Sequence, residues 1–299
     1  METAVISGKG GTGKSSISAA FATLGERVIV ADCDVDAANL YLLFNPQHQD
    51  EQIYIAGQKA VIDIAKCTNC GICMEYCRFG AISFKGSANI VSIKGSANIV
   101  SIDEISCDGC RLCERVCPEK AIDMVNNDRS RMYSGSFRNG KMVYGRLAPG
   151  EENSGKLVNM VRERARVLSK ESGIDEIIID GPPGTGCAVI SSITGTDRVI
   201  VVTEPTSSGL HDLKRTLEMI SKFAFSTWVI INKYDLNESI SLNIESYCSG
   251  EGVRVAGKIK FDPVVVDAMI NSKSVIEYAP GSHVSQSIKE IWREIQRYG

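Results

Sequence analysis

Two groups of residues in this 299-residue chain are spaced for chemistry. Gly8-Lys9-Gly10-Gly11-Thr12-Gly13-Lys14-Ser15 satisfies G-x4-G-K-[S/T], the spacing of a phosphate-binding loop. Its glycines let consecutive backbone N–H groups converge on phosphate oxygens, and a helix beginning there adds the positive end of its dipole. In such a loop Lys14 neutralises the β- and γ-phosphates, Ser15 ligates Mg2+, and Ser16 completes the set around the phosphates. The expected ligand is a nucleoside triphosphate with Mg2+.

The second group is a pair of cysteine runs, Cys67, Cys70, Cys73, Cys77 and Cys107, Cys110, Cys113, Cys117, each with C-x2-C-x2-C-x3-C spacing. This spacing suits iron–sulfur clusters rather than zinc, because three ligands on a tight loop embrace one cluster and the fourth crosses to the other. Cys67, Cys70, Cys73 and Cys117 are therefore expected to hold one 4Fe-4S cluster, and Cys107, Cys110, Cys113 and Cys77 a second. Arg78 follows the first run where proline is usual, whereas Pro118 follows the second. Of eleven cysteines, Cys33, Cys187 and Cys248 remain as singles, and thiols at ligand spacing imply a reducing, cytoplasmic compartment.

The elements around these residues alternate. Apolar Thr3–Ile6 reads as a strand entering the phosphate loop, Ser15–Leu24 as the helix leaving it, and Arg27–Ala31 as a second buried strand. The composition changes after residue 60, and the strand–helix rhythm returns with a helix near Gly155–Lys170. Strands follow at Glu176–Asp180, Arg198–Thr203, Thr227–Asn232 and Val253–Ile259, with helices near Leu210–Lys222, Pro263–Asn271 and Val284–Arg297. Alternation of this kind predicts an α/β fold, a mostly parallel sheet with helices on both faces. The cysteine runs then fall in an inserted small α+β domain at 61–125, between two parts of the α/β domain at 1–60 and 126–299.

Two further segments carry expectations. Arg138-Asn139-Gly140 reads as the turn of a hairpin between Arg131–Phe137 and Lys141–Leu147. The nine residues Lys85–Ile93 recur without a gap as Lys94–Ile102, and the two Asn-Ile-Val-Ser-Ile copies are expected to pair as a hairpin across Lys94-Gly95-Ser96. Net charge of −3 and a pI near 5.8 give no electrostatic case for nucleic acid. No apolar run reaches the roughly 20 residues that span a bilayer, so membrane insertion is not expected. Ile288, Ile291, Trp292 and Ile295 fall on one face of the last helix, with Glu290 and Glu294 diluting its basic face, so it is expected to pack on the core.

The string Lys9-Gly10-Gly11-Thr12-Gly13-Lys14-Ser15 resembles the deviant Walker A loop of the MinD/ParA superfamily, which includes the nitrogenase iron protein. The resemblance runs on through Asp32–Leu40, similar to switch I, and Ile177–Gly184, similar to the Walker B and switch II segment. Thr203–Thr206 and Gly209–Leu213 match as well, and the whole chain resembles a subgroup of MinD-like P-loop ATPases with an inserted two-cluster ferredoxin domain. This likeness implies that Lys9 reaches across a homodimer to the partner's nucleotide, as an ATP sandwich. It implies that Asp34 orients the attacking water, Asn39 supports it, and Asp180 holds the Mg2+ water shell.

Asn232-Lys233-Tyr234-Asp235 taken alone suggests guanine, whereas the resemblance points to ATP through Asn232, with Asp235 nearby. In the iron protein a cysteine at an offset like that of Cys187 helps hold a shared cluster. That arrangement needs two cysteines per subunit, so Cys187 is expected to be a packed thiol. The expected activity is Mg2+-dependent ATP hydrolysis coupled to electron transfer through two 4Fe-4S clusters, with an unidentified redox partner protein. The alternatives are a MinD/ParA-like spatial organiser with redox-sensing clusters, or an iron–sulfur cluster carrier.

Overall fold

The computed structural model describes residues 1–85, 99–151, 154–223 and 225–298. Its elements in chain order are β1 (Glu2–Ser7), α1 (Lys14–Leu24), β2 (Val28–Asp32), α2 (Leu40–Phe44), β3 (Gln47–Tyr54) and β4 (Gln58–Ile62). Next come α3 (Ile72–Glu75), β5 (Ile82–Lys85), β6 (Ile99–Ile102), α4 (Leu112–Val116), β7 (Ile122–Asn126), β8 (Ser130–Phe137) and β9 (Gly140–Arg146). The chain continues through α5 (Ser154–Ser172), β10 (Ile177–Pro183), α6 (Cys187–Ile193), β11 (Arg198–Thr203), α7 (Ser207–Ile220) and β12 (Ser226–Asn232). It closes with α8 (Glu238–Gly250), β13 (Arg254–Ile259), α9 (Val264–Ile270), α10 (Val275–Tyr278) and α11 (His283–Tyr298).

Two compact units result. Met1–Gln52, Met132–Arg146 and Ser154–Gly299 form the larger, and Ile53–Arg131 with Leu147–Asn153 the smaller. A nine-stranded sheet runs β13-β12-β11-β1-β10-β2-β9-β8-β3. The six pairings from β13 to β9 are parallel, in register such as Val5↔Asp180 and Asp180↔Asp32. That register sets the ends of β1, β2 and β10 side by side, which is where ligand-binding loops of a parallel sheet emerge.

The central strands are apolar on both faces, as burial under two helical layers requires. Val28, Val30, Ile178, Ile200 and Ile230 share one core with α1, α10 and α11. The intervening Ile29, Ala31, Ile179 and Val201 are equally buried and point to the other face, because side chains alternate along a strand. There α5 packs on β2, β9 and β10.

Ile288, Ile291, Trp292 and Ile295 of α11 are all buried in the shared core, and Trp292 stacks on Phe21 at 4.5 Å between ring centroids. Burial of such side chains stabilises by about 1.5–3 kcal/mol each. The hairpin at Arg138-Asn139-Gly140 is present, with β8 and β9 as neighbours in the sheet.

In the smaller unit β4 pairs antiparallel with β7, Ile62 opposite Ile122, and β5 with β6, Ile82 opposite Ile102. The first Asn-Ile-Val-Ser-Ile copy lies outside the described residues, and so does its expected pairing with the second. Ile99–Ile102 of the second copy pairs with Ile82–Lys85, and Ser83-Phe84 precede the repeat. Alternation along this pair puts Val100 into the core beside Ile82. Residues 86–98, with the turn at Lys94-Gly95-Ser96, lie outside the described residues.

Candidate nucleotide and cysteine sites

The phosphate loop leaves β1 at Ser7 and enters α1 at Lys14. Gly13 has φ of 90°, and a Cβ there would stand 2.3 Å from Asn232 Nδ2, so only glycine fits. Asn232 ends β12 and donates from Nδ2 to the Thr12 carbonyl at 2.7 Å, fixing the loop from the neighbouring strand. Thr12 Oγ1 is buried with no hydrogen-bond partner among the described residues, a condition that a bound polar ligand would relieve.

Beneath the loop the charges are tightly interlocked. Lys14 Nζ lies 3.0 Å from Asp180 Oδ1 and 3.6 Å from Asp34 Oδ2. Ser15 Oγ donates to Asp180 Oδ2 at 2.7 Å, and Ser18 Oγ to Asp180 Oδ1 at 2.6 Å. Burial alone would lower the Lys14 pKa, but Asp180, Asp34 and Asp32 outweigh it and raise it. Burial pushes the Asp34 carboxyl above its ordinary value against the pull of Lys14. A charged lysine among three carboxylates is arranged to exchange one of these partners for phosphate oxygens.

Asp32 is the residue that sequence reasoning quoted without a role. Its carboxylate is fully buried and accepts from the backbone N–H groups of Asp34, Asn39 and Leu40 at 3.1–3.2 Å. It thereby shapes the segment carrying Asp34 and Asn39. Burial first, then the Asp180 charge, pushes its carboxyl up to about 7. Its position as the last residue of an otherwise apolar strand was the available signal.

A cavity of about 360 Å3 opens over the loop. Gly10, Gly11, Thr12, Gly13, Lys14, Ser15 and Ser16 line one end, with Asp34, Asn39 and Asn232 beside them. Ile259, Phe261, Val265 and Met269 make the other end apolar, a surface suited to a planar base. Gly8, Lys9, Asp180 and Asp235 do not line it. Asp180 lies below Lys14 and Ser15, and Asp235 accepts the Phe261 N–H at 2.8 Å. Lys9 is engaged within its own chain, 2.7 Å from Glu204 and donating to Thr206 Oγ1 and Ser208 Oγ. Glu204 also pairs with Lys233, which donates to the Gly11 carbonyl at 3.0 Å. Neither Glu204 nor Lys233 was singled out from sequence.

In the smaller unit the cysteine runs sit on two similar strand–loop–helix–strand passages. Cys67, Cys70, Cys73 and Cys117 line one small cavity, and Cys77, Cys107, Cys110 and Cys113 line another. Each cavity thus takes three thiols from one run and the fourth from the other. Cys67, Cys73, Cys77, Cys107, Cys113 and Cys117 belong to or pack against the small core of Ala60, Ile82, Val100 and Ile122. Burial pushes the Cys73 thiol up, and the Cys113 thiol up to about 11. The Ala121 N–H donates to Cys117 Sγ at 3.3 Å. Among the described residues, no three His, Cys, Asp or Glu side chains are grouped to hold a metal ion.

Of the single cysteines, Cys33 and Cys248 are buried, while Cys187 is exposed at the start of α6 and is not the packed thiol expected. The preceding Gly184-Thr185-Gly186 stretch leaves its side chain clear of the core that takes Val189 and Ile193 of the same helix. No helix of the described residues is long and apolar enough to cross a membrane.

Known proteins resemble this chain in sequence or in fold. The protein MJ0578 of Methanocaldococcus jannaschii is 32% identical over 303 residues, covering all of this chain and 97% of its own length. The septum site-determining protein MinD of Pyrococcus horikoshii, solved with Mg-ADP, has a similar fold. Its TM-score is 0.57 at 18% identity, over 99% of this chain and 96% of that one. A McdA variant of Cyanothece solved with ATP gives a TM-score of 0.56 at 15% identity, over 99% and 96% of the two chains. The model of the CobQ/CobB/MinD/ParA nucleotide binding domain matches residues 3–275, and the chain belongs to that family.

Proposed function

We propose that this protein is a Mg2+-dependent ATPase that works as a nucleotide-driven switch of the MinD/ParA kind, and that its smaller unit holds two 4Fe-4S clusters. The observation that carries the ATPase reading is the cavity over the phosphate loop, with Lys14 poised between Asp180 and Asp34. Adenine is favoured over guanine because Asp235 is occupied by the Phe261 N–H, and because the MinD and McdA structures hold adenine nucleotides. Lys14 would bridge the β- and γ-phosphates, Ser15 would ligate Mg2+, and Asp180 would hold its water shell. Asp34 would orient the attacking water, with its segment set by Asp32. Lys9 would leave Glu204 to reach the nucleotide of a second copy, so ATP would join two chains face to face.

The residues of the smaller unit fit the clusters. Four thiols surround each cavity in the 3+1 pattern that two neighbouring clusters require. The four thiolates of each cavity would hold one cluster, rather than a single ion, for which no three side chains of the described residues are grouped. When bound, the clusters supply one-electron redox chemistry, and the chain supplies thiolate ligands, N–H donors such as that of Ala121, and a largely apolar surround.

The family resemblance favours a spatial or regulatory switch with the clusters as redox sensors. Two complete four-cysteine shells favour ATP-gated electron transfer to a partner protein as the second reading, and oppose donation of a labile cluster. Light scattering with Mg-ATP tests the switch: the parent should become dimeric, and Lys9→Ala should stay monomeric while still binding nucleotide. A parent that stays monomeric with Mg-ATP contradicts it.

A further inference from the structure

The two cysteine cavities are built on matching passages, and among other differences their linings differ in charge. Gly71, with φ of 80°, immediately precedes α3 between Cys70 and Cys73, and Arg111, with φ of 65°, immediately precedes α4 between Cys110 and Cys113. A left-handed backbone suits glycine and is strained by other residues. Arg111 therefore occupies a position where its counterpart shows that glycine is sufficient. Its guanidinium is held in place: Nε donates to Gln58 Oε1 at 3.1 Å, Nη2 donates to the same oxygen, and Nη1 lies 3.8 Å from Glu114.

Gln58 is itself pressed against the cysteine loop. A Cβ on Gly109 would stand 2.2 Å from its carbonyl oxygen. Arg111 and Asp108 line the cavity of Cys77, Cys107, Cys110 and Cys113, and Phe79 lines it too. In the cavity of Cys67, Cys70, Cys73 and Cys117 the corresponding positions are Gly71, Thr68 and Glu119. The non-cysteine lining residues thus carry balanced charge in one cavity and a net negative charge in the other, with Glu114 outside the first lining.

We infer that Arg111 sets the two clusters at different potentials, making the one held by Cys77, Cys107, Cys110 and Cys113 the easier to reduce. The inference rests on the two-cluster reading above. Reduction adds one negative charge to a cluster, so a fixed cation beside it stabilises the reduced form and an anion opposes it. An electron entering the smaller unit then comes to rest on the Arg111 side, which gives the pair a direction.

The test is a redox titration of anoxically prepared full-length protein, followed by EPR, with iron content measured in parallel. The parent should show two separable midpoints, the higher of them lost in Cys110→Ala. Arg111→Gly, which restores the glycine of the matching passage, should lower that midpoint alone by about tenfold in the reduction equilibrium, 59 mV for one electron. Arg111→Lys should restore most of the difference. A midpoint unmoved in Arg111→Gly with full iron content overturns the inference and leaves the two-cluster reading standing, as does a shift of the other midpoint. Protein without cluster iron overturns both.

Discussion

Around the phosphate loop, every buried charge meets an opposite charge or a hydrogen bond supplied by the chain: Lys14 lies between Asp180 and Asp34, and Asp180 also accepts from Ser15 and Ser18. Around the cysteine cavities, six thiols occupy or flank a core whose apolar members are few. The larger unit can hold its site ready without a ligand because the sheet and its helices bury a large continuous core. The smaller unit has little else to bury, and small domains of this kind depend on disulfides or metals for stability. The contrast teaches that nucleotide would act as a switch on a scaffold already folded, whereas cluster iron would be part of the fold it occupies.

The sharpest way to break this comparison is to disable each site alone. Lys14→Ala should abolish nucleotide binding, measured by calorimetry, while leaving iron content intact. Cys110→Ala should lower iron content and leave nucleotide binding unchanged. Joint loss in either variant would mean that the two units do not fold as separately as proposed.

Removing iron by chelation under reducing conditions should come next in size. The smaller unit should lose its hydrogen-exchange protection, and β1, β10 and β11 should keep theirs. Protection retained across β4 to β7 in iron-free protein would refute the dependence.

Asp34→Ala should leave ATP binding intact and slow hydrolysis by about 10²–10⁴-fold, the range for loss of a positioned acid–base group. The smallest effect concerns Asp32, whose carboxyl sits at about 7 in the fold against an ordinary 3.8. The folded state binds this proton more tightly than the unfolded chain, so the contribution is complete below the unfolded value and is lost as pH rises through about 7. Nucleotide-free protein should therefore grow less stable with rising pH in this window, and Asp32→Asn should flatten the slope in thermal melts.

Much of this was legible from sequence because the constraints are local. A glycine loop between an apolar strand and a helix leaves few alternatives, and the C-x2-C-x2-C-x3-C spacing foretold which cysteines would share a cavity. What was hidden depends on pairing across the chain. The pairing of Ile99–Ile102 with Ile82–Lys85 is announced by no local motif, and the engagement of Lys9 by Glu204 spans 195 residues. The helix α8 went unread because its apolar residues are sparse, although Asn237 caps it by accepting the Ile240 N–H at 3.0 Å. Asp235 looked like a base-reading residue, and only the course of β13 into Phe261 shows what its carboxylate holds.

Redox sensing and ATP-gated electron transfer require the same thing, a free-energy coupling between nucleotide occupancy and cluster reduction, and linkage makes it reciprocal. EPR spectra and midpoints of dithionite-reduced protein, recorded with and without Mg-ATP, measure it directly. The account predicts two 4Fe-4S signals, at least one of whose midpoints moves when Mg-ATP is added and does not move in Lys14→Ala. Identical midpoints with and without Mg-ATP in a protein that binds both nucleotide and iron would contradict it.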